Sequence, residues 1–446
     1  MTMVRFDDVL DVAIKGIHAE LGSRTGSITF VRDVAGQLTA VLEDDALAAD
    51  KWGPLANTLN EMLGSFSPGP QRVLLRRSDL IDAEDVVNSP DRIPVPDADN
   101  TWLVDRLLTN QDWLRKPLLV KPPLPLAVAY SLKGGVGRST ALAALAWHLA
   151  RKGKKVLAVD LDLEAPGLGS LLLKDLPDYG LVDWLVEALV GQADPLLLQD
   201  CLALSAVAKD STGIVQVMPA FGKKTGDYVA KIGRVFLPGI SPDGSEQGMA
   251  QRIAGLVDII GKRDEPPDVV LLDARAGLQD IGAAAVTQLG AEVFLFARDE
   301  PQSWQAYRLL FKHLARSKGV EYGMQDEDLR WRLKMVAAQL DKTEGALSNW
   351  VESSYEAWSE MYDEESRIPD ESISAQTFAR DDRDAPHYPL PVYFDWGLRG
   401  IALTDSAERP TWAVVEAAFG AFLAAATVRL FPEGEGGSGG DPVRTR

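Results

Sequence analysis

A handful of residues in this chain have the types and spacing to do chemistry: Lys133, Arg138, Ser139, Asp160, Asp162, Asp273 and Gly277. The densest cluster is LPLAVAYSLKGGVGRST, residues 124–140. Gly134, Gly135 and Gly137 let the backbone bend so that successive N–H groups converge on one anion. Lys133 and Arg138 place positive charge on either side of those glycines. Ser139 supplies a hydroxyl where a helix begins, and the positive end of the helix dipole points at the same anion. The chemistry implied is the binding of phosphate groups, with Ser139 standing where such a loop holds Mg²⁺. Asp160, Asp162 and Asp273 are hard oxygen donors of the kind that cation requires.

The elements around these residues must position them. Leu124 to Tyr130 is a short apolar run and reads as a buried strand, while STALAALAWHLARKG has the composition and length of a helix. Strand, glycine-rich turn and helix together make a phosphate-binding P-loop. Val156–Val159 is a second strand and carries Asp160 and Asp162 at its carboxyl end, where open α/β sheets bind ligands. Residues two apart on a strand share a face, so both carboxylates can point the same way. PPDVVLLDARAG is a third strand ending in Asp273, with Gly277 four residues later.

The string KGGVGRST resembles the loop of the deviant-Walker-A ATPases of the MinD/ParA group, and the resemblance extends more thinly over about 124–431. What it implies is a doubly wound, mostly parallel α/β P-loop NTPase domain that binds ATP and Mg²⁺. Its nucleotide cradle would comprise Lys133, Gly134, Gly135, Val136, Gly137, Arg138, Ser139, Thr140 and Gly277. Ser139, Asp160 and Asp273 would serve the metal. Asp162 would orient the attacking water, with Lys133 and Arg138 as the other catalytic groups. In that family the early lysine, here Lys133, reaches a partner subunit's phosphates, and the glycine matching Gly277 brings its N–H to the γ-phosphate. This chain departs from the family at Arg138, where Lys is usual. Guanidinium and ammonium are not interchangeable, and the departure bears on hydrolysis rather than on nucleotide binding. Arg275, inside the D-x-x-x-G string, is either a phosphate sensor or part of an ordinary salt bridge. An N-K-x-D guanine signature is missing, the closest string being QLDK, which favours ATP over GTP.

Composition sets limits on this reading. The chain has 446 residues, 46 % hydrophobic, enough for two domains. A single cysteine, Cys201, excludes an intrachain disulfide. No uninterrupted apolar segment reaches membrane-spanning length, and the N-terminus lacks the pattern of a signal peptide, so a cytoplasmic location is expected. The net charge of −19 disfavours broad attraction to DNA or anionic lipid. Residues 341–384 hold 13 Asp/Glu against 4 Lys/Arg, about half of that excess.

The rest of the chain is organised around the loop. Residues 1–121 read as a small N-terminal α+β module, either an interaction unit or a structural cap. It holds an amphipathic helix from Phe6 to Leu21, strands on either side of Gly36, and a second helix over Ala46–Leu63. A third helix is expected over NTWLVDRLLTNQDWL, residues 100–114. Residues 122–432 form the nucleotide domain, with an acidic helical insertion near 341–385. The stretch 221–248 is glycine-rich and aperiodic, a candidate mobile loop or partner surface. In 411–431 the stripe Trp412, Val415, Phe419, Phe422, Leu423, Ala426 and Leu430 fits a helix. MinD has a membrane anchor in the corresponding place, but this helix lacks the Lys/Arg-rich face such anchors need and reads as core. Residues 433–446 read as a disordered tail.

The expected function is an ATPase acting as a nucleotide-dependent homodimerisation switch that recruits a protein partner or effector, without strong nucleic-acid binding or membrane insertion. KGGVGR variants also resemble ATPases of bacterial conflict systems. A ParA-type DNA-partition ATPase and a module that binds ATP without hydrolysing it are the alternatives.

Overall fold

The computed structural model describes residues 4–21, 26–89, 91–96, 98–107, 110–118, 121–240, 246–317, 329–362, 378–398, 403–404 and 409–432. The chain divides into two compact units, one spanning Met1–Lys116 and the other comprising most of the chain from Pro117 onward.

In the first unit, the N-terminal apolar stripe forms the helix Val9–Leu21, entered through a 3-10 turn at Phe6–Asp8. With the helix Trp52–Leu63 it covers one face of a five-stranded sheet, burying Val9, Ala13, Ile17, Leu55 and Leu59 against Ile28, Phe30 and Leu38. The strands are β1 (Ile28–Arg32), β2 (Leu38–Leu42), β3 (Leu74–Arg76), β4 (Ile93–Pro94) and β5 (Thr101–Asp105), in the order β3-β2-β1-β5-β4. The β1–β2 hairpin turns at Gly36, whose φ of 86° lies in the left-handed region. One expectation is corrected here. Residues 101–105 are strand, not helix, and run parallel to β1 with Ile28 opposite Thr101 and Arg32 opposite Asp105. Thr, Trp and Val favour extended backbone, and the available edge of β1 overrides the helical spacing of the segment. Among the described residues of that segment, Gln111–Trp113 makes a short 3-10 turn.

In the second unit the sheet has eight strands: β6 (Leu126–Tyr130), β7 (Lys155–Asp160), β8 (Ala203–Leu204), β9 (Ile214–Met218), β12 (Val269–Asp273), β13 (Glu292–Ala297), β14 (Leu333–Leu340) and β15 (Leu390–Tyr393). A separate short antiparallel pair, β10 (Gly239–Ile240) and β11 (Glu246–Gln247), lies outside it. The order is β15-β14-β13-β6-β12-β7-β9-β8, and every neighbouring pair is parallel except β8 with β9. Parallel strands are covered by helices on both faces and are therefore apolar throughout; β6 and β12 are buried at every residue. The carboxyl ends of β6, β7 and β12 lie side by side, with Asp273 opposite Asp160 in the register. This is the mostly parallel α/β P-loop fold, preceded by a small-sheet module.

Two helices close the core on one face. Arg138–Arg151 is dominated by Ala and Leu, small enough to lie close on the strands. Trp412–Leu430 buries Val415, Phe419, Phe422, Leu423, Ala426 and Leu430. The Phe422 ring meets Phe294 at 5.3 Å and Phe296 at 5.8 Å, and truncating such a ring to Ala costs about 3–5 kcal/mol. By length and composition this helix could cross a membrane, yet its apolar stripe is packed on the sheet.

Within the acidic segment, Trp350 and Trp358 of the helix Ala346–Trp358 are fully buried, against Trp304 at 4.7 Å and Phe311 at 4.4 Å. These aromatics are core. Residues 363–377 of that segment and the tail 433–446 lie outside the described residues. Residues 241–245 of the glycine-rich stretch 221–248 lie outside the described residues. Its described part contains the helix Tyr228–Val235, whose N-terminus is capped by the Asp227 carboxylate accepting from the Ala230 N–H at 3.0 Å.

Candidate functional site

The phosphate loop follows β6 directly. Gly135 and Gly137 adopt φ of 73° and 90°, and Gly137 is the N-cap of the helix Arg138–Arg151. A Cβ built on Gly134 or Gly135 would meet no atom within 4 Å, so the backbone there faces open space. Val136 is buried in the core below and anchors the loop.

Arg138 does not extend into that open space. Its side chain is 8 % exposed and turns under the loop. Nη1 donates to the Ser131 hydroxyl at 2.7 Å, and Nη2 lies 3.5 Å from Asp162 Oδ2. The Ser131 hydroxyl in turn donates to the Lys133 carbonyl at 2.7 Å. Arg138 is thus tied to β6, to the loop and to the proposed water-orienting carboxylate together. Asp162 also accepts the Ala165 N–H on Oδ1 at 3.0 Å, which holds its side chain at the base of the following turn.

The other two carboxylates have opposite surroundings. Asp160 accepts the Asp162 N–H on Oδ1 and the Gly167 and Leu168 N–H groups on Oδ2, at 3.0–3.1 Å. It organises the turn after β7, and burial, with Asp273 next, raises its pKa well above the usual range. Asp273 is fully buried, and among the described residues neither of its oxygens makes a hydrogen bond of good geometry, the Ser139 hydroxyl being the donor that stands beside it. Burial pushes its pKa up to about 6 against the pull of the Arg138 cation and the Ser139 hydroxyl, and Asp162 adds to the rise. A buried carboxylate without a partner is costly unless a cation completes it. Asp273 with the Ser139 hydroxyl suits Mg²⁺, which takes few protein ligands and fills its remaining positions with phosphate oxygens and water. By this test the residues fit Mg²⁺·nucleotide: Asp273 and Ser139 could hold the cation, whereas Asp160 is already engaged by backbone.

Lys133 points away from its own loop. Its ammonium donates to Glu300 Oε2 at 2.5 Å and to Gln302 Oε1 at 3.2 Å, at the start of the helix Pro301–Ser317. Glu300 also pairs with Arg298 at 3.2 Å. Gly277, at φ 95°, donates its N–H to the Ser131 carbonyl at 3.0 Å. Arg275 forms an ion pair with Glu164 and donates to Gln279, linking the turn after β12 to the turn that holds Asp162.

Beside the loop lies a cleft of about 640 Å³, lined by Gly135 to Thr140, Arg298, Gln339 and the segment Val392–Trp396. Thr140 lines the cleft together with Gly135 and Gly137. Gln339, Glu300 and Ser131 were not singled out by the sequence. Gln339 has φ 52°, rare for a residue with a side chain, and its amide donates to the Gly135 carbonyl at 3.0 Å. No local signal announces that strain. Glu300 had one: an acidic residue directly before Pro301, the usual mark of a helix start.

The family model of the CobQ/CobB/MinD/ParA nucleotide binding domain matches residues 127–365, more than half of the chain. No curated protein matches the sequence. Among solved structures, the chain is similar to a ParA family ATPase from Chlorobium tepidum TLS, at 15 % identity and TM-score 0.38, covering 69 % of this chain and 93 % of that one. It is similar to the septum site-determining protein MinD from Pyrococcus horikoshii OT3, complexed with Mg-ADP, at 20 % identity and TM-score 0.38, covering 68 % and 94 %. A putative plasmid partition protein from Borrelia burgdorferi B31, bound to AMPPNP, gives 12 % identity and TM-score 0.39 over 69 % and 99 %.

Proposed function

The chain belongs to the CobQ/CobB/MinD/ParA nucleotide-binding domain family, and we propose that it is a Mg²⁺·ATP-dependent switch whose two copies close face to face over ATP and separate on hydrolysis. The observation that carries this reading is Asp273: a fully buried carboxylate at the end of β12 beside the phosphate loop, neither oxygen of which makes a hydrogen bond of good geometry among the described residues, with the Ser139 hydroxyl beside it. Bound Mg²⁺·ATP would supply the transferable phosphoryl group and the cation that neutralises its oxygens. In this reading Gly134 to Thr140 cradle the phosphates, Ser139 and Asp273 hold the cation, and Asp162 orients a water. Lys133 stands outside its own loop and is available to a second copy once it leaves Glu300. Catalysis of this kind is positioning and charge neutralisation.

A second reading draws on Arg138. Because its guanidinium sits on Ser131 and Asp162, the side chain that would neutralise phosphate is paired with the one that would orient water. A site arranged this way loads ATP without hydrolysing it. Phosphate release with and without Mg²⁺ separates the two. Mg²⁺-dependent turnover supports the switch, whereas tight ATP binding without turnover supports the loading module. ATP binding that is insensitive to Mg²⁺ and to Ser139→Ala would overturn both.

A further inference from the structure

The turn that carries Gly277 is held from β6 by two bonds. The Gly277 N–H donates to the Ser131 carbonyl at 3.0 Å, and the Gly277 carbonyl accepts from the Tyr130 hydroxyl at 2.9 Å. Consecutive residues at the end of β6 therefore grip the two peptide groups that flank one glycine. Tyr130 is fully buried, and its ring lies on Gly282. A Cβ at Gly282 would come 2.9 Å from the ring and 3.1 Å from the Gly277 carbonyl. The fit between ring, carbonyl and the helix beginning at Asp280 leaves no room for a side chain.

The two bonds differ in what they can give up. The Ser131 carbonyl holds the one backbone donor that Gly277 could offer a terminal phosphate. The Tyr130 hydroxyl holds the carbonyl on the other side, which phosphate does not need and which also accepts the Gln279 N–H at 3.2 Å from within the turn, so Tyr130 is its tie to the strand. We propose that Tyr130 is a positioning residue for the γ-phosphate response: it anchors the carbonyl side of Gly277 while the N–H exchanges the Ser131 carbonyl for a phosphate oxygen. Gly277 can pivot because the left-handed region is open to glycine. Anchoring one side confines the motion to a single peptide group, so less chain entropy is lost when phosphate captures the N–H. Burial also raises the Tyr130 phenol above its ordinary range, so it remains a donor at neutral pH.

This inference rests on the Mg²⁺·ATP reading of the site, and its test keeps the two apart. In full-length Tyr130→Phe the ring stays on Gly282 and only the hydroxyl is lost. Amide hydrogen exchange over 274–283 should then be about tenfold faster in the nucleotide-free protein. ADP affinity should stay within about twofold of the parent, and the preference for ATP over ADP should fall by about three- to tenfold, the worth of one hydrogen bond. Gly282→Ala, which displaces ring and carbonyl by a different route, should shift both readouts in the same direction. If wild type prefers ATP and both variants match it in exchange and in ATP/ADP ratio, the role of Tyr130 is overturned and the site reading stands. If wild type itself does not distinguish ATP from ADP, the site reading fails and takes this inference with it.

Discussion

The Arg138 guanidinium lies 3.5 Å from the Asp162 carboxylate, with both side chains about nine-tenths shielded from solvent. Removing one partner of a shielded pair leaves the other charge uncompensated, so Arg138→Ala should destabilise the nucleotide-free protein by on the order of 2–4 kcal/mol. Ser131→Ala should cost about 1 kcal/mol, and a double-mutant cycle should show the two changes to be coupled. Arg138→Lys keeps the charge but cannot span Ser131 and Asp162 together. It should free Asp162 and raise turnover by about threefold or more, an increase worth roughly 0.7 kcal/mol of barrier. Urea denaturation and phosphate-release assays read these effects, and strictly additive stabilities would contradict the pairing.

Lys133 and Glu300 form the other informative pair. They are partly exposed, and an exposed pair contributes only about 0–1 kcal/mol, so Glu300→Gln should leave stability nearly unchanged. Its effect should fall on association, because Lys133 is then free to leave. We expect dimerisation with a slowly hydrolysed ATP analogue to tighten by about threefold to tenfold, a shift of roughly 0.7–1.4 kcal/mol. Unchanged or weaker association would show that Glu300 does not restrain Lys133.

Asp273 separates stability from function. Its carboxylate is fully buried and, among the described residues, makes no hydrogen bond of good geometry, and desolvation outweighs the pull of Arg138 and Ser139, so Asp273→Asn should raise nucleotide-free stability, by on the order of 1–2 kcal/mol from relief of desolvation. The same change should abolish the Mg²⁺ dependence of ATP binding. Calorimetric unfolding and nucleotide titrations with and without Mg²⁺ make the check. A variant that is less stable and still Mg²⁺-dependent would contradict the metal role.

His148 supplies a pH dependence away from the site. It stacks on Trp412 at 5.7 Å, and burial lowers its pKa from 6.5 to about 4, assisted by Lys152 and Arg151. The unfolded chain therefore takes up this proton at higher pH than the folded one. Stability from this residue is complete above about 6.5 and falls as pH drops toward about 4, by on the order of 1–2 kcal/mol after discounting for partial exposure. His148→Phe should flatten the wild-type stability profile within that window. Identical profiles would show that His148 is not buried neutral.

The sheet, its glycine turn and the strand-end positions of its carboxylates were legible because short-range rules govern them. Gly135 and Gly137 need left-handed backbone, the strands ending in Asp160 and Asp273 are apolar runs, and the stripe of the helix Trp412–Leu430 is periodic. Three features were not legible for a common reason: each depends on a partner far away in sequence. Thr101–Asp105 becomes a strand because β1 offers an edge. Arg138 turns under the loop because Ser131 and Asp162 meet there. Gln339 takes a strained φ where its amide reaches the Gly135 carbonyl. The spacing of Asp160 and Asp162 showed two carboxylates at one strand end, but not that three backbone N–H groups already occupy the first.

The central claim is that ATP joins two copies of this chain through Lys133. Sedimentation velocity with a slowly hydrolysed ATP analogue, with and without Mg²⁺, tests it most directly. Wild type should sediment as a dimer only when analogue and Mg²⁺ are both present. Lys133→Ala should bind the analogue as a monomer with affinity within about twofold of wild type, since loss of a charge-assisted phosphate bond across the dimer would weaken association by tenfold or more, about 1.5–3 kcal/mol. A wild-type protein that stays monomeric at saturating Mg²⁺·analogue, or a Lys133→Ala variant that dimerises as wild type does, would contradict the account.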